Sequence, residues 1–361
     1  MSSLDAIIVN YHSHQLTAGA VASVLADRPD ARVVVVDNSC STAEFHSLQA
    51  VLPPEVECLC PSDNLGFGKA CNLAYCRTSA DWVLLLNPDA LIVPGCLERM
   101  IAFLRATPRA GAVAPLAWWD EERQWLLPPA QMPTPFSELT MALAMRFPGF
   151  GRVISRRFRR RSLQTLLSPR PVRQCMLSGG NVLLRRSAIE RAGGLFDPLF
   201  FMYYEDTDLC RRLTAADCDL YLLPTAEVVH KWHVDAAKSA LCAASRQHYF
   251  HKHFAGNPLA CWGERLTRRL SPSPGMPGSL DLGVVAAPPR FNIPDSLAPG
   301  WVMEISLHPL LIPASYHLGQ GTTCHFPAAL WECLGPGHYW ARLAGRDQHG
   351  ELLYHWQVAP S

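Results

Sequence analysis

Short apolar runs alternate with segments of helical spacing through roughly the first ninety residues, and this alternation limits the fold more than any other feature. "DAIIVNY" reads as a strand, and "QLTAGAVASVLAD" has helical spacing and ends near Pro29. "ARVVVVDNS" is a second strand, "EFHSLQAVL" a short helix, "VECLC" a strand, "GKACNLAYCRT" a helix and "DWVLLLNPDA" a strand. Strands this uniformly apolar, with helices between them, predict a mostly parallel sheet covered on both faces, a Rossmann-like α/β fold. In such sheets ligands bind beyond the carboxyl ends of the strands. Those ends carry Asn10-Tyr11, Asp37-Asn38, Asn64 to Gly68 and Asn87-Pro88-Asp89, so polar side chains collect along one edge.

The rest of the chain is less uniform. Residues 117 to 173 read as irregular and include "GRVISRRFRRRSLQTLLSPRPVR", with eight arginines and no acid. The α/β pattern resumes at "CMLSGGNVLLRRSAIERAGGLFD" and runs through "YYEDTDLCRRL" to "AEVVHKWH", followed by a helical stretch near 236 to 270. "SPSPGMPGS" is a linker by composition, placed at 271–280. Short strand-like runs then predict a small antiparallel β domain, sandwich-like, over 281–361. Its tryptophans at 301, 331, 340 and 356 are read as core filling ahead of sugar stacking.

Composition excludes several classes. At 361 residues with 49% hydrophobic and 17% charged content, the chain is globular. A formal net charge of +1 gives no whole-chain case for a nucleic-acid partner. No apolar run reaches 18 residues, and "MSSLDAIIVNYHSH" enters a strand directly, so the expectation is a cytoplasmic protein. The thirteen cysteines are scattered without a C-x-x-C pair, and most are expected to be buried thiols.

The chemistry-bearing residues stand at the strand ends. "VNYHSHQ" lacks the G-x-G-x-x-G turn of dinucleotide oxidoreductases. Asp37 can accept hydrogen bonds from a base or ribose, or simply form a turn. "NLGFGKACN" places Gly66 and Gly68 ahead of a helix start, where negative charge is favoured. Asp89 ends a wholly apolar strand, as a turn residue or as one of the few carboxylates that a Mg²⁺ or Mn²⁺ ion needs beside substrate phosphates. Glu205 and Asp206 follow the aromatic run "LFFMYY". Adjacent acids near apolar surface repel and are desolvated, which raises a carboxyl pKa and makes a better proton acceptor. Asp206 as a helix cap, and Asp208 paired with Arg211 and Arg212, is the plainer reading. His230, directly after a strand, is a core histidine or a metal ligand, and His233 is the weaker candidate.

Taken together, "IIVNYHS", "VVVVDNS", "NLGFGKACN", "LLLNPDA", "LSGGNVLLRRSAIERAGGLFDPLFFMYYEDTDLCRRL" and "VVH" resemble glycosyltransferase family 2, in the family's order and spacing. These are inverting GT-A-fold enzymes that use nucleotide sugars, and the rhamnosyltransferase-like branch is the nearest in pattern. The resemblance spans about residues 4 to 250 and implies a glycosyltransferase domain over 1–270, with 152–173 as an arginine-rich acceptor or membrane-side segment. It implies that Asn10, Tyr11 and Asp37 line the nucleotide pocket and that Asn64, Gly68 and Asn72 lie beside it. Asp89 matches the last acid of the family's Asp-X-Asp metal motif, while Asn87 stands where the first acid would be and implies a weaker hold on the cation or a contact through water. Gly179, Gly180 and Asn181 match the wall around donor sugar and acceptor, Asp206 the catalytic base with Glu205 beside it, and His230 the histidine near metal and diphosphate. The implied partners are a nucleotide-diphosphate sugar donor, a divalent cation, a glycan or lipid-linked glycan acceptor of cell-surface polysaccharide synthesis, and an anionic membrane at the inner face of the plasma membrane. The rival reading is a catalytically inactive nucleotide-sugar or carbohydrate-binding protein.

Overall fold

The structure, a computed structural model, describes residues 3–233, 238–270, 278–346 and 350–359. The first part follows the alternation of the sequence: β1 (Leu4–Asn10), α1 (His14–Asp27), β2 (Arg32–Asp37), α2 (Thr42–Val51), β3 (Glu57–Leu59), α3 (Gly66–Tyr75) and β4 (Trp82–Leu86). Next come β5 (Ala90–Ile92), α4 (Cys96–Ala106), β6 (Ala110–Trp118) and β7 (Trp125–Leu126), then α5 (Pro135–Arg146) and α6 (Pro148–Leu166). The sheet is completed by β8 (Val172–Gln174), β9 (Asn181–Arg185) and β10 (Asp219–His230), with α7 (Arg186–Arg191) and α8 (Glu205–Ala215) between the last two. Helices α9 (Lys238–Phe254) and α10 (Pro258–Arg269) follow. The C-terminal region holds β11 (Leu280–Val285), β12 (Arg290–Asn292), β13 (Trp301–Ser306), β14 (Ser315–Gly319), β15 (Thr323–His325), α11 (Ala328–Glu332), β16 (Gly337–Gly345) and β17 (Leu352–Val358).

Strand β1 pairs in parallel with both β2 and β4, and β2 with β3. Strand β9 runs antiparallel between β4 and β6, and β10 lies parallel to β6. Every residue of β1 and β4 is buried, as a sheet covered on both faces requires. Because side chains alternate across a strand, Ile7 and Val9 pack on one face with α3, α7 and α8. Ala6 and Ile8 pack on the other face with α1, α2 and α4.

Several expectations are corrected. The stretch from 117 to 173 is not irregular, since α5 and α6 occupy most of it. The C-terminal strands do not form a free-standing antiparallel sandwich. Strand β14 hydrogen-bonds to β7, which pairs with β6, so one sheet continues from β3 to β11. Within that region β11 pairs in parallel with β17, and part of the run "CHFPAALW" forms α11. The hairpin β16–β17 and its pairing with β13 are antiparallel as expected. Trp301 and Trp356 are buried in the C-terminal core, with Trp331 packed against it, while Trp340 packs against a cluster of the main sheet. Of the proposed linker, residues 271–277 lie outside the described residues.

The arginine-rich stretch is only partly a solvated face. Arg152, Arg157, Arg160 and Arg161 are exposed, but Arg159 is 1% exposed and meets Glu304 of β13, which is 0% exposed. Arg342 of β16 donates to Glu304 Oε1 at 2.7 Å and to Ser155 Oγ at 2.9 Å. Glu351 accepts from Arg159 and Arg156 at 3.1 and 3.0 Å. Removing charges from water is costly unless each is paired and hydrogen-bonded, and this cluster pairs them, fastening α6 to the C-terminal strands. The cysteines also differ from expectation: all thirteen are free, but only six are buried and five are exposed.

Candidate active site

The adjacent ends of β1 and β2 place Asn10 opposite Asp37. Both are fully buried, and Asn10 Nδ2 donates to Asp37 Oδ1 at 3.0 Å and to Glu44 Oε1 at 3.1 Å. Asn10 Oδ1 accepts from Thr17 Oγ1 and Ser13 Oγ, while Ser39 Oγ donates to Asp37 Oδ1 at 2.6 Å. Asp37 Oδ2 is buried without a hydrogen-bond partner. A buried unpaired carboxylate oxygen is costly unless a ligand supplies a donor. Tyr11, 55% exposed, stands at the mouth of this edge with its ring against His12.

Asn64 is exposed, and its Oδ1 accepts from Asn38 Nδ2 at 2.8 Å and from Gly66 N at 2.9 Å, shaping the entry to α3. Gly66 has φ +74°, and a Cβ there would lie 2.1 Å from Phe201 O, so only glycine permits this approach. Gly68 packs beneath the same loop, its virtual Cβ 3.6 Å from Glu205 Cβ. Asn72 spends its side chain on backbone. Its carboxamide donates to Phe196 O at 2.8 Å and accepts from Phe196 N at 3.0 Å, which anchors the segment leading to Glu205.

Beyond β4 the chain turns through Asn87-Pro88-Asp89 into β5, whose antiparallel pairing with β10 sets Ala90 opposite His230. His230 Nε2 lies 3.2 Å from Asp89 Oδ1, yet neither atom has a hydrogen-bond partner of good geometry. Two buried polar atoms facing one another off-axis suit a shared cation. Among the described residues no group of three or more His, Cys, Asp or Glu could hold a metal. The pair therefore fits a hard cation only as a partial site completed by phosphate oxygens and water, the usual situation for Mg²⁺.

The acidic pair approaches from the other side. Tyr203 and Tyr204 both have positive φ, 69° and 66°, which turns the chain abruptly into α8. Such backbone costs on the order of 1–3 kcal/mol per residue and persists where surrounding packing over-determines it. Asp206 Oδ2 accepts from Gly179 N at 3.1 Å, and Oδ1 accepts from Thr207 N at 2.6 Å. Gly180 adjoins Asn87: its O accepts from Asn87 N at 2.7 Å, and a Cβ on it would lie 2.5 Å from Asn87 Nδ2. Asn181 is buried opposite Leu86. The Gly179-Gly180 backbone thus bridges Asp206 on one side and the Asn87–Asp89 turn on the other. Asp208 is fully buried and does not reach Arg211: Arg212, Lys252 and His253 hold it at 2.7, 2.7 and 2.8 Å. Arg211 instead lies over the Phe254 ring.

This chain matches the family model described as "Glycosyltransferase like family 2" over residues 3–249. It belongs to glycosyltransferase family 2. Two relatives, each named N-acetylglucosaminyl-diphospho-decaprenol L-rhamnosyltransferase and from two strains of Mycobacterium tuberculosis, are 32% identical over 223 residues, 58% of this chain and 69% of theirs. Similar solved structures include GalNAc-T7 with UDP, GalNAc and Mn²⁺ (TM-score 0.47, 15% identity, 70% of this chain and 48% of that one). Another is the mannosyltransferase PcManGT from Pyrobaculum calidifontis with GDP-Man and Mn²⁺ (TM-score 0.45, 13% identity, 74% of each chain). The protein is a rhamnosyltransferase-like glycosyltransferase, and its activity is glycosyl transfer.

The electrostatics of this glycosyltransferase separate its carboxylates. Burial, then the neighbouring Asp206 charge, pushes Glu205 up to about 8. Burial also raises Asp206 above the ordinary carboxylate value, although the amides of Gly179 and Thr207 pull the other way. Burial opposes the charge on Asp89 and Asp208 as well, but His230 beside Asp89, and Lys252 and Arg212 beside Asp208, outweigh it and lower both. Glu44 is the residue that the sequence reading missed. It accepts from Asn10 Nδ2, and from His14 N and Nδ1 at 2.9 Å each. Its position three residues after the helix-capping Ser41 is the signal that marks it.

Proposed function

We propose that this enzyme inverts configuration in one displacement, moving a sugar from a nucleotide-diphosphate donor to a hydroxyl of a lipid-linked glycan. Rhamnose is the sugar and N-acetylglucosaminyl-diphospho-lipid the acceptor that the names of the relatives suggest. The observation that carries the reading is the Gly179-Gly180 bridge, which sets the carboxylate of Asp206 across from the Asn87–Asp89 turn. Asp206 takes the proton of the acceptor hydroxyl as that oxygen attacks the anomeric carbon, and its raised pKa suits it to accept one. Glu205, buried beside Asp206, holds its own proton up to about 8.

Asn10, Asp37 and Tyr11 hold the nucleoside, with Asp37 Oδ2 free to take a donor from base or ribose. Asn64 and Gly68 shape the loop beside it, and Gly179, Gly180 and Asn181 wall the sugar. Asp89 and His230 would hold a Mg²⁺ or Mn²⁺ ion, with Asn87 nearby. Such an ion supplies charge stabilisation for the departing diphosphate. The glycosyltransferase part is placed at 1–270 and the C-terminal β part at 281–361.

The exposed Arg152, Arg157, Arg160 and Arg161 share α6 with exposed Phe150 and Val153, and exposed Phe147 precedes its first turn. Basic groups near an anionic leaflet are worth about 1 kcal/mol each, which supports peripheral attachment at the inner face of the membrane. Among the described residues, no helix is long and apolar enough to cross a membrane. Asp206→Asn is expected to abolish transfer while nucleotide-sugar binding, read by calorimetry, survives. Full turnover by that variant removes Asp206 as the base. Asp89→Ala is expected to weaken donor binding in Mn²⁺ and not in its absence.

A further inference from the structure

A cavity of about 600 Å³ opens where the catalytic edge meets the C-terminal strands. Ser178, Asn181 and His230 line its inner end, so it begins one residue from Gly179, the amide that holds Asp206. Its walls come from distant parts of the chain: Ala117 of β6, Ala130 after β7, Leu166 of α6, and Ile305, Leu307 and Ala314 around β13 and β14. Among the described residues no Asp, Glu, Lys or Arg lines it. His308, also in the wall, is pushed below its ordinary value by burial, which keeps it neutral at pH 7.

We infer that the part of this cavity away from Ser178, Asn181 and His230, beyond the acceptor's sugar and diphosphate, seats the start of the hydrocarbon of its lipid carrier, and that the C-terminal strands are the acceptor-binding part of the enzyme. The inference rests on the proposed transfer to a lipid-linked glycan. Its volume lies in the range of small-molecule sites, roughly 300–1,000 Å³. A diphosphate needs convergent charge, and the wall is mostly alanine, leucine, isoleucine, proline and aromatic carbon; the side chains able to hydrogen-bond, such as Gln131, Gln174, Ser306 and Ser315, are a minority of it. A hydrocarbon gains from leaving water without needing any partner. Leu166 enters the wall from the C-terminal end of α6, the helix that also exposes Arg152, Arg157, Arg160 and Arg161 and, towards its other end, Phe150 and Val153. The buried Arg159–Glu304–Arg342 cluster fixes β13, and hence Ile305 and Leu307, against that helix.

The test compares two acceptors, the decyl and the methyl glycosides of N-acetylglucosamine, the former below its micelle concentration. Each buried methylene is worth about fourfold in affinity, so three in the cavity predict a KM about 60-fold lower for the decyl acceptor. Leu307→Asp, at a position 44% exposed and hence tolerant of charge, and Ala130→Trp, which fills the space, are each expected to collapse that ratio to about threefold or less. Retained nucleotide-sugar binding shows that the variants are folded. A wild-type enzyme that transfers to both acceptors with the same KM overturns the inference. So do variants that weaken both acceptors equally, since the cavity would then hold the sugar. Calorimetric binding of the decyl glycoside needs no turnover: binding that Leu307→Asp abolishes, in a wild type that transfers to neither acceptor, upholds the cavity and removes the functional reading instead.

Discussion

Replacing Glu205 by glutamine should make the protein more stable at high pH and leave it nearly unchanged at low pH. In the unfolded chain this carboxyl loses its proton near 4.5, whereas in the folded protein burial and Asp206 hold the proton on to about 8. Between those values the folded state binds more protons than the unfolded state, so wild-type stability falls as pH rises. The two pKa values differ by about 3.5, and each pH unit is worth about 1.4 kcal/mol, which sets a ceiling near 5 kcal/mol. Relaxation around the charged pair lowers this, and we expect roughly 2–3 kcal/mol. Glutamine has the same shape and no proton to lose. Urea unfolding of both proteins at pH 5, 6.5, 8 and 9 measures the effect as a difference between them, in which Asp89, Asp208, His253 and the other titrating groups largely cancel. The stability gap should be small at pH 5, open towards pH 8 and level off by pH 9. Parallel curves, differing by less than about 0.5 kcal/mol across that range, would refute the claim that Glu205 is held neutral by its surroundings.

Glu304→Ala strands Arg159 and Arg342 without their shared carboxylate and should cost about 3–5 kcal/mol by denaturant titration. Glu304→Met together with Arg342→Met should cost much less, because no unpaired charge remains between those two positions. Gly180→Ala places a methyl 2.5 Å from Asn87 Nδ2, so Asn87 must move; metal-dependent nucleotide-sugar affinity should fall at least about tenfold with little change in melting temperature. Glu44→Gln weakens the support of Asn10 and should lower nucleotide affinity without altering the metal dependence, read by the same calorimetry.

Several elements were legible because their cause is local. A run such as "VVVVD" carries the period of a strand buried on both faces, and Ile7 and Ile8 need no distant partner to declare opposite faces of a sheet. The acid pair was legible for the same reason, since adjacency to each other and to an aromatic run is written in consecutive positions. Asn72 shows the limit. Its place before a nucleotide pocket follows from the order of motifs, but its carboxamide is taken by the backbone of Phe196, 124 positions away.

The alternation of apolar runs with helical segments determined the α/β sheet and the edge where Asn10, Asp37 and Asp89 gather, and consecutive positions alone showed the acids at the start of α8. Tertiary structure alone decided that Arg159 is buried against Glu304, that β7 carries the sheet onward into the C-terminal strands, and that those strands wall a cavity beside Asp206. The reason is physical. Period and propensity report how much of a segment leaves water, whereas the partner of a buried charge and the shape of a space between elements are set by where separate parts of the chain meet.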